Sequence, residues 1–467
     1  MKHTFPLLLL ILLYLLPSAV RGGAAGCGAS GSPSASAYDT LHVDSLAAPS
    51  PGTSAWDSIS VWDRLAESDS ISPDSLAALP LPADSAGVDS LAADSDSALA
   101  AVPLPQRVAD LLDNEIFERT QVGIYVYDLT ADTLVFARGE RQCMRPASNE
   151  KLLTAVAALR SLGGGYLYRT RLYADGAVCD TDSIFRGRVY VRGGFDPLLD
   201  GDDLRAFADS LVAAGVTRVS SPVCFDLSFK DDKLLGWGWC WDDDLTPLTP
   251  LLFRGKDTFA EHFRSALRAA GVQWDGTVEE RDTPAGARLL ATRTHTIDQV
   301  LLPMLKHSDN LMAESLFYQL AAQSGRKGAG RRQAAARVEA LICAVGLDPS
   351  HYQVADGSGL SLYNYATPEL LGRVLRYAYR HEEIYRHLFP ALPIAGADGS
   401  LRRRMRGSAA AGNVRAKTGT VEGVSTLAGY CTAASGNTLC FAIMNQGIRH
   451  TSTGRNFQDR VCRALCR

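Results

Sequence analysis

The chain has 467 residues, 46% of them hydrophobic, enough for two packed domains and a tail. Its formal net charge is only −4, and no basic stripe with interleaved aromatics occurs, so nucleic acid is not an expected partner. The histidines, His295, His307 and His351 among them, show no metal-ligand spacing, which argues against a zinc peptidase, and no cofactor is implied.

The first segment reads as an export signal. Lys2 and His3 precede a Leu-rich run from Leu7 to Leu16, too short to span a bilayer as a mature helix. Small residues then lead to Cys27. Ala24-Ala25-Gly26-Cys27 loosely resembles a bacterial lipobox, so residues 1–27 fit both a lipid-anchored leader and an ordinary cleaved one. The expected location is exported, in the periplasm.

Residues 28–105 carry ten aspartates and one glutamate against a single arginine, and Asp-Ser-Leu-Ala-Ala recurs at Asp44, Asp74 and Asp89. Such a stretch buries too little apolar surface to offset the entropy of ordering it. It is expected to be a disordered spacer, although Trp56, Ile59 and Trp62 leave room for a short docked helix.

The folded body is expected from residue 106. Val108 to Leu112 reads as a helical turn, Val122–Tyr127 as a β-branched strand and Thr133–Ala137 as its hairpin partner. A strong helical pattern runs from Ser148 to Leu162, stopped by Gly163-Gly164-Gly165. Further on, Val189–Arg192 and Val223–Phe225 read as strands, and 202–214, 259–270, 297–305 and 310–323 as helices. Leu427–Cys431 and Thr438–Met444 read as adjacent strands, with a last helix at 455–466 packed on them. Helices mixed with an antiparallel sheet give an α+β class. Ten cysteines suit an oxidising compartment. Cys431 and Cys440 flank a turn symmetrically, which leaves a cross-strand pair open, and Cys462 and Cys466 lie one helical turn apart.

Three short elements carry chemistry. In Ser148-Asn149-Glu150-Lys151 the Ser and Lys share one helix face. A hydroxyl is a poor nucleophile until a base takes its proton, and a lysine serves once burial or a second cation lowers its pKa. Ser148 at a helix start also offers backbone N–H groups to an oxyanion. In Ser308-Asp309-Asn310 the hydroxyl suits proton relay to a leaving amine, and the Asn310 amide suits a substrate peptide group. Lys417-Thr418-Gly419-Thr420 leads a β-rich run. There Lys417 and Thr418 suit a terminal carboxylate, Gly419 permits close approach, and the Thr420 N–H suits the oxyanion hole. Singly, these elements read as two helix caps and a surface lysine. Together and in this order they are the set found in penicillin-binding proteins and class A β-lactamases.

Further stretches narrow the match. Arg145-Pro146-Ala147-Ser148, YVRGGFDP at Tyr190–Pro197, GWCWDD at Gly238–Asp243, DGSGLS at Asp356–Ser361, GADGSL at Gly396–Leu401 and the strand Ala416–Tyr430 are similar to the low-molecular-mass penicillin-binding proteins of the peptidase S13 type. The resemblance covers most of 106–467. It implies a penicillin-binding/β-lactamase-like serine transpeptidase fold at 106–165 and 247–467, with one smaller α/β domain inserted at 166–246. The second insert common in that family is expected to be missing, because Leu245–Pro250 passes almost directly to Leu251-Leu252-Phe253.

The resemblance implies a D-Ala-D-Ala carboxypeptidase or endopeptidase acting on peptidoglycan stem peptides and inhibited covalently by β-lactams. Ser148 would be acylated with Lys151 as base. Ser308 and Asn310 would handle the proton and the substrate amide, Lys417 and Thr418 would hold the carboxylate, and Asp243 would meet the free amine of the stem. Asp243 reads equally as one surface acid among Asp242–Asp244, and Asp196 and Asp356 read as loop residues bonding their own backbone. A serine β-lactamase and a catalytically dead wall-binding lipoprotein are the competing readings. Against the first, no Glu-x-x-x-Asn element lies between the second and third motifs.

Overall fold

A computed structural model describes residues 102–178, 185–243, 246–323 and 327–467. These fall in one compact unit, Gly87–Arg467. The leader, Cys27 and nearly all of the spacer lie outside the described residues.

The chain opens with short helices α1 (Leu104–Asp110) and α2 (Ile116–Arg119), then strands β1 (Gln121–Asp128) and β2 (Thr133–Arg138). A 3-10 turn at Ala147–Asn149 leads into α3 (Glu150–Leu162). Next come β3 (Leu167–Val178), β4 (Phe185–Arg192), α4 (Gly201–Ala213), β5 (Arg218–Val219), β6 (Val223–Asp226), α5 (Phe259–Ala269), β7 (Gln273–Trp274), β8 (Val278–Glu280) and β9 (Arg288–Thr296). The helices α6 (Ile297–Lys306), α7 (Asn310–Ala322), α8 (Arg331–Ala344), α9 (Pro368–Arg380) and α10 (Glu382–Ala391) follow. The chain closes with β10 (Arg415–Val421), β11 (Val424–Thr432), β12 (Thr438–Gln446) and α11 (Thr451–Cys466).

The first sheet is antiparallel, in the order β10-β11-β12-β1-β2. Both of its faces are buried, which the period-two alternation makes visible. Val122, Ile124 and Val126 of β1, with Leu439, Phe441 and Ile443 of β12, pack against Val108 of α1 and Phe457, Val461 and Leu465 of α11. The opposite face, Tyr125, Tyr127, Ala442 and Met444, packs on the helical layer. At its centre lies α3, whose residues 150–159 are all buried. A helix enclosed on every side is pinned by packing rather than by one apolar stripe. Each fully buried Leu there contributes about 1.5–3 kcal/mol.

The second sheet is mixed, in the order β7-β5-β4-β3-β9, with β6 joined to β4 and β8. Its core includes Phe207 and Leu211 of α4 and Phe263 and Leu267 of α5. This sheet draws strands from Leu167 to Thr296, well beyond the expected boundary at 246. Of the strands past that point, β7 and β8 escape sequence reading because they are only 2 and 3 residues long.

The cysteine expectation is corrected. In the β11–β12 register Cys431 faces Leu439 and Cys440 faces Tyr430. The symmetric-looking turn is offset by one residue, which sends the two thiols to opposite faces of the sheet. Cys431 joins Cys462 and Cys466 in one core, and Cys440 lies in the other. The eight described cysteines are free thiols.

Candidate active site

The nucleophile's turn is held by contacts on both sides. Ala147, just before Ser148, sits at φ +48°, a left-handed conformation that costs a non-glycine residue about 1–3 kcal/mol and persists only where the surroundings fix it. Gly359 packs so tightly here that an added Cβ would lie 1.8 Å from the Ala147 carbonyl oxygen. On the other side the Thr426 hydroxyl donates to the Pro146 carbonyl at 2.8 Å. Ser148 therefore begins its helix from a clamped 3-10 turn rather than from an ordinary N-cap.

One helical turn on, Lys151 Nζ lies 3.0 Å from Ser148 Oγ, 2.7 Å from Asn310 Oδ1 and 2.8 Å from the Ser358 carbonyl oxygen. Its side chain is fully buried. That burial pulls its pKa down to about 8, against the opposing pull of Asp356, Glu314, Asp309 and Glu150. A neutral amine held by two acceptors keeps its lone pair for the serine proton.

Ser308 sits in the tight turn between α6 and α7 at φ +65°. Asp309, not Ser308, caps α7, accepting from the Met312 N–H at 3.0 Å. This frees the Ser308 hydroxyl to meet Lys417 Nζ at 2.8 Å. Lys417 also donates to the Thr418 carbonyl at 2.8 Å. It too is fully buried, and burial followed by the neighbouring charge of Lys151 holds its pKa well below the usual lysine range.

The third element runs beside the nucleophile. A Cβ on Gly419 would stand 3.1 Å from the Ser148 nitrogen and 2.1 Å from Thr426 Oγ1, so only glycine permits this approach. Thr418 Oγ1 bonds Ser400 Oγ at 2.8 Å, and Thr420 Oγ1 lies 3.5 Å from Arg455 Nη2. Thr420 is exposed at the same strand end.

The structure thus brings Ser148, Lys151, Ser308, Asn310, Lys417, Thr418, Gly419 and Thr420 to one place. Asp243 is different: its carboxylate accepts from the Cys240 N–H at 2.7 Å, closing its own turn, and no bond joins it to the other residues. Asp196 and Asp356 bond their own loops as expected, but each also holds a distant side chain, His295 Nδ1 at 2.7 Å and Trp239 Nε1 at 2.9 Å. Asp196 accepts from the Leu198 N–H and Asp356 from the Gly359 and Ser361 N–H groups. Sequence reasoning missed Ser358, Ser400, Glu314 and Arg455. The DGSGLS and GADGSL stretches drew attention to the first two segments, while Glu314 and Arg455 had no motif to mark them.

An antiparallel sheet flanked by helices, with a lysine-paired serine meeting a second serine–lysine pair, is the arrangement of the penicillin-binding serine acyl-transferases. The sequence matches the family model for D-Ala-D-Ala carboxypeptidase 3 (S13) over residues 104–251 and 246–466, and the chain belongs to this peptidase S13 family. It is 27% identical over 445 residues to a D-alanyl-D-alanine carboxypeptidase of Actinomadura sp. (strain R39), covering 74% of this chain and 81% of that one. It is 31% identical over 377 residues to carboxypeptidase DacB of Mycolicibacterium smegmatis, covering 73% and 79%. Among solved structures, penicillin binding protein 4 of Haemophilus influenzae superposes with a TM-score of 0.68 at 23% identity, over 77% of this chain and 98% of that one, which shows the shared fold.

Proposed function

We propose that this chain is a serine-type carboxypeptidase that removes the terminal D-Ala from D-Ala-D-Ala-ended peptidoglycan stem peptides through an acyl-Ser148 intermediate. The observation that carries the reading is the 3.0 Å contact between Ser148 Oγ and a buried lysine whose pKa is brought to about 8. Neutral Lys151 takes the hydroxyl proton as Ser148 Oγ bonds to the carbonyl carbon of the penultimate D-Ala. The resulting oxyanion faces the backbone N–H groups of Ser148 and Thr420. As the peptide bond breaks, the proton passes through the Ser308 hydroxyl to the leaving nitrogen, and D-Ala departs. Water then cleaves the ester and restores Ser148. The Asn310 amide receives the substrate's peptide group, and Lys417 and Thr418 receive its carboxylate.

A β-lactam opened by the same attack keeps its leaving nitrogen tethered, so its ester persists. A peptidoglycan substrate suits an exported enzyme, to which the leader at 1–27 and a lipid on Cys27 would belong. Among the described residues no helix is long and apolar enough to cross a membrane. Asp243 is assigned to the stem's free amine, with its hydrogen bond to Cys240 as the competing use of its carboxylate.

The test is intact-mass measurement after incubation with a fluorescent penicillin, beside Ser148→Ala. A lasting adduct confined to the wild type supports the reading. Absence of any adduct sinks it, and an adduct cleared within seconds identifies a β-lactamase instead.

A further inference from the structure

Glu314 is a fully buried carboxyl that the reaction above does not use. It lies four residues after Asn310 on α7, so the two side chains share one helix face. Asn310 holds Lys151 directly, at 2.7 Å. Glu314 Oε1 instead accepts from the backbone N–H groups of Gly357 and Ser358, at 3.0 and 2.9 Å. The carbonyl of that same Ser358 is the third partner of Lys151 Nζ, at 2.8 Å. One face of α7 therefore grips the lysine twice, once by contact and once through a single residue, Ser358.

We propose that Glu314 is a positioning residue for Lys151, fixing the Gly357–Ser358 segment so that the Ser358 carbonyl aims the amine at the Ser148 hydroxyl. The inference rests on the acyl-serine reading above.

Two observations support it. First, the Gly357 and Ser358 N–H groups have Glu314 as their acceptor, while Thr154 Oγ1 donates to the Gly357 carbonyl and Asp356 takes the Ser361 N–H and the Gly359 N–H, the latter in the Ser358 carbonyl's own peptide plane. Glu314 thus fixes the N-terminal side of Ser358, and Asp356 its C-terminal side. Second, the acid is placed at a real cost. Burial, then repulsion from Asp356, pushes its pKa up to about 8, and Glu150, Lys151, Lys230 and Tyr318 also share its surroundings. A carboxyl kept in such a place is explained by the two donors it satisfies beside the base.

The test compares Glu314→Gln, which keeps an acceptor oxygen at the same reach, Glu314→Asp, which keeps the carboxyl but withdraws the oxygen by one methylene, and Glu314→Ala. Penicillin acylation rate constants and the ¹³Cε titration of Lys151 are measured for each. We expect Gln to stay within about threefold of wild type, and Asp and Ala to fall by about 10²-fold with little change in non-covalent affinity. The Lys151 midpoint is expected to drop in Asp, because its ammonium loses the Ser358 carbonyl. Equal losses in Gln and Asp, or wild-type rates in Asp and Ala, overturn the proposal, as does an unmoved Lys151 midpoint in Asp. Should Ala fail to fold, the Gln and Asp pair decides alone. A wild type that forms no adduct defeats the acyl-serine reading, whereas the Lys151 titration still judges the positioning role.

Discussion

Lys417 and Ser308 meet at 2.8 Å across the boundary between sheet and helical layer, joining β10 to the turn between α6 and α7. Apart from its bond to the Thr418 carbonyl, the Lys417 amine is committed to the Ser308 hydroxyl. Groups acting as a unit lose their effect together. Lys417→Ala and Ser308→Ala are each expected to slow penicillin acylation by about 10²-fold or more, and the double variant should be little slower than either single one. Additive losses, read from the three rate constants, would separate the two roles.

The pH profile follows from Lys151. The reaction needs its amine neutral, and burial brings its pKa to about 8. The acylation rate per active site should therefore rise with pH through about 8 and then level off. An Arg at this position stays protonated, so Lys151→Arg should lower the rate by about 10³-fold and abolish that rise. A flat profile in the wild type would reject Lys151 as the base.

Gly419→Ala introduces a methyl that would meet Thr426 Oγ1, the Pro146 carbonyl and the Ser148 nitrogen. These atoms shape the nucleophile's turn, so displacing them costs catalysis before it costs the fold. A loss of about 10²-fold in acylation is expected, with circular dichroism spectra unchanged. Near-normal rates would show that β10 has slack.

Ser400→Ala removes the hydroxyl that bonds Thr418 Oγ1. If Thr418 binds the substrate carboxylate, its hydroxyl loses its orientation. One neutral hydrogen bond corresponds to about 3- to 10-fold, expected as a higher KM for a D-Ala-D-Ala peptide with kcat nearly constant. A change confined to kcat would point to a different role.

Much of this was legible in the sequence because the chemistry lies in short, local motifs. The 3-10 start of α3 and the period-two strands β1, β11 and β12 are likewise local patterns. What stayed hidden depends on distant partners. Glu314 looks like any polar residue on a helix until the Gly357–Ser358 backbone is seen bonded to it. Helices α8 and α10 escaped notice for want of a side-chain cap, α9 although Thr367-Pro368-Glu369 marks its start, and β9 because none of its residues is buried. The Cys431–Cys440 expectation failed because a one-residue register offset cannot be read from a turn's symmetry.

The strand order carries a consequence for the timing of activity. Strand β1 stands between β2, which follows it at once, and β12, where Gln121 faces Gln446. During synthesis from the N-terminus, β1 must wait with an open strand edge until β12 has been made. Such long-range closure is slow and leaves the edge prone to wrong pairings. It also means that Lys417 reaches Ser308 only after β10 has been made, more than a hundred residues later. Competence to cut is thus acquired only once the strands that carry the third motif have been made and paired.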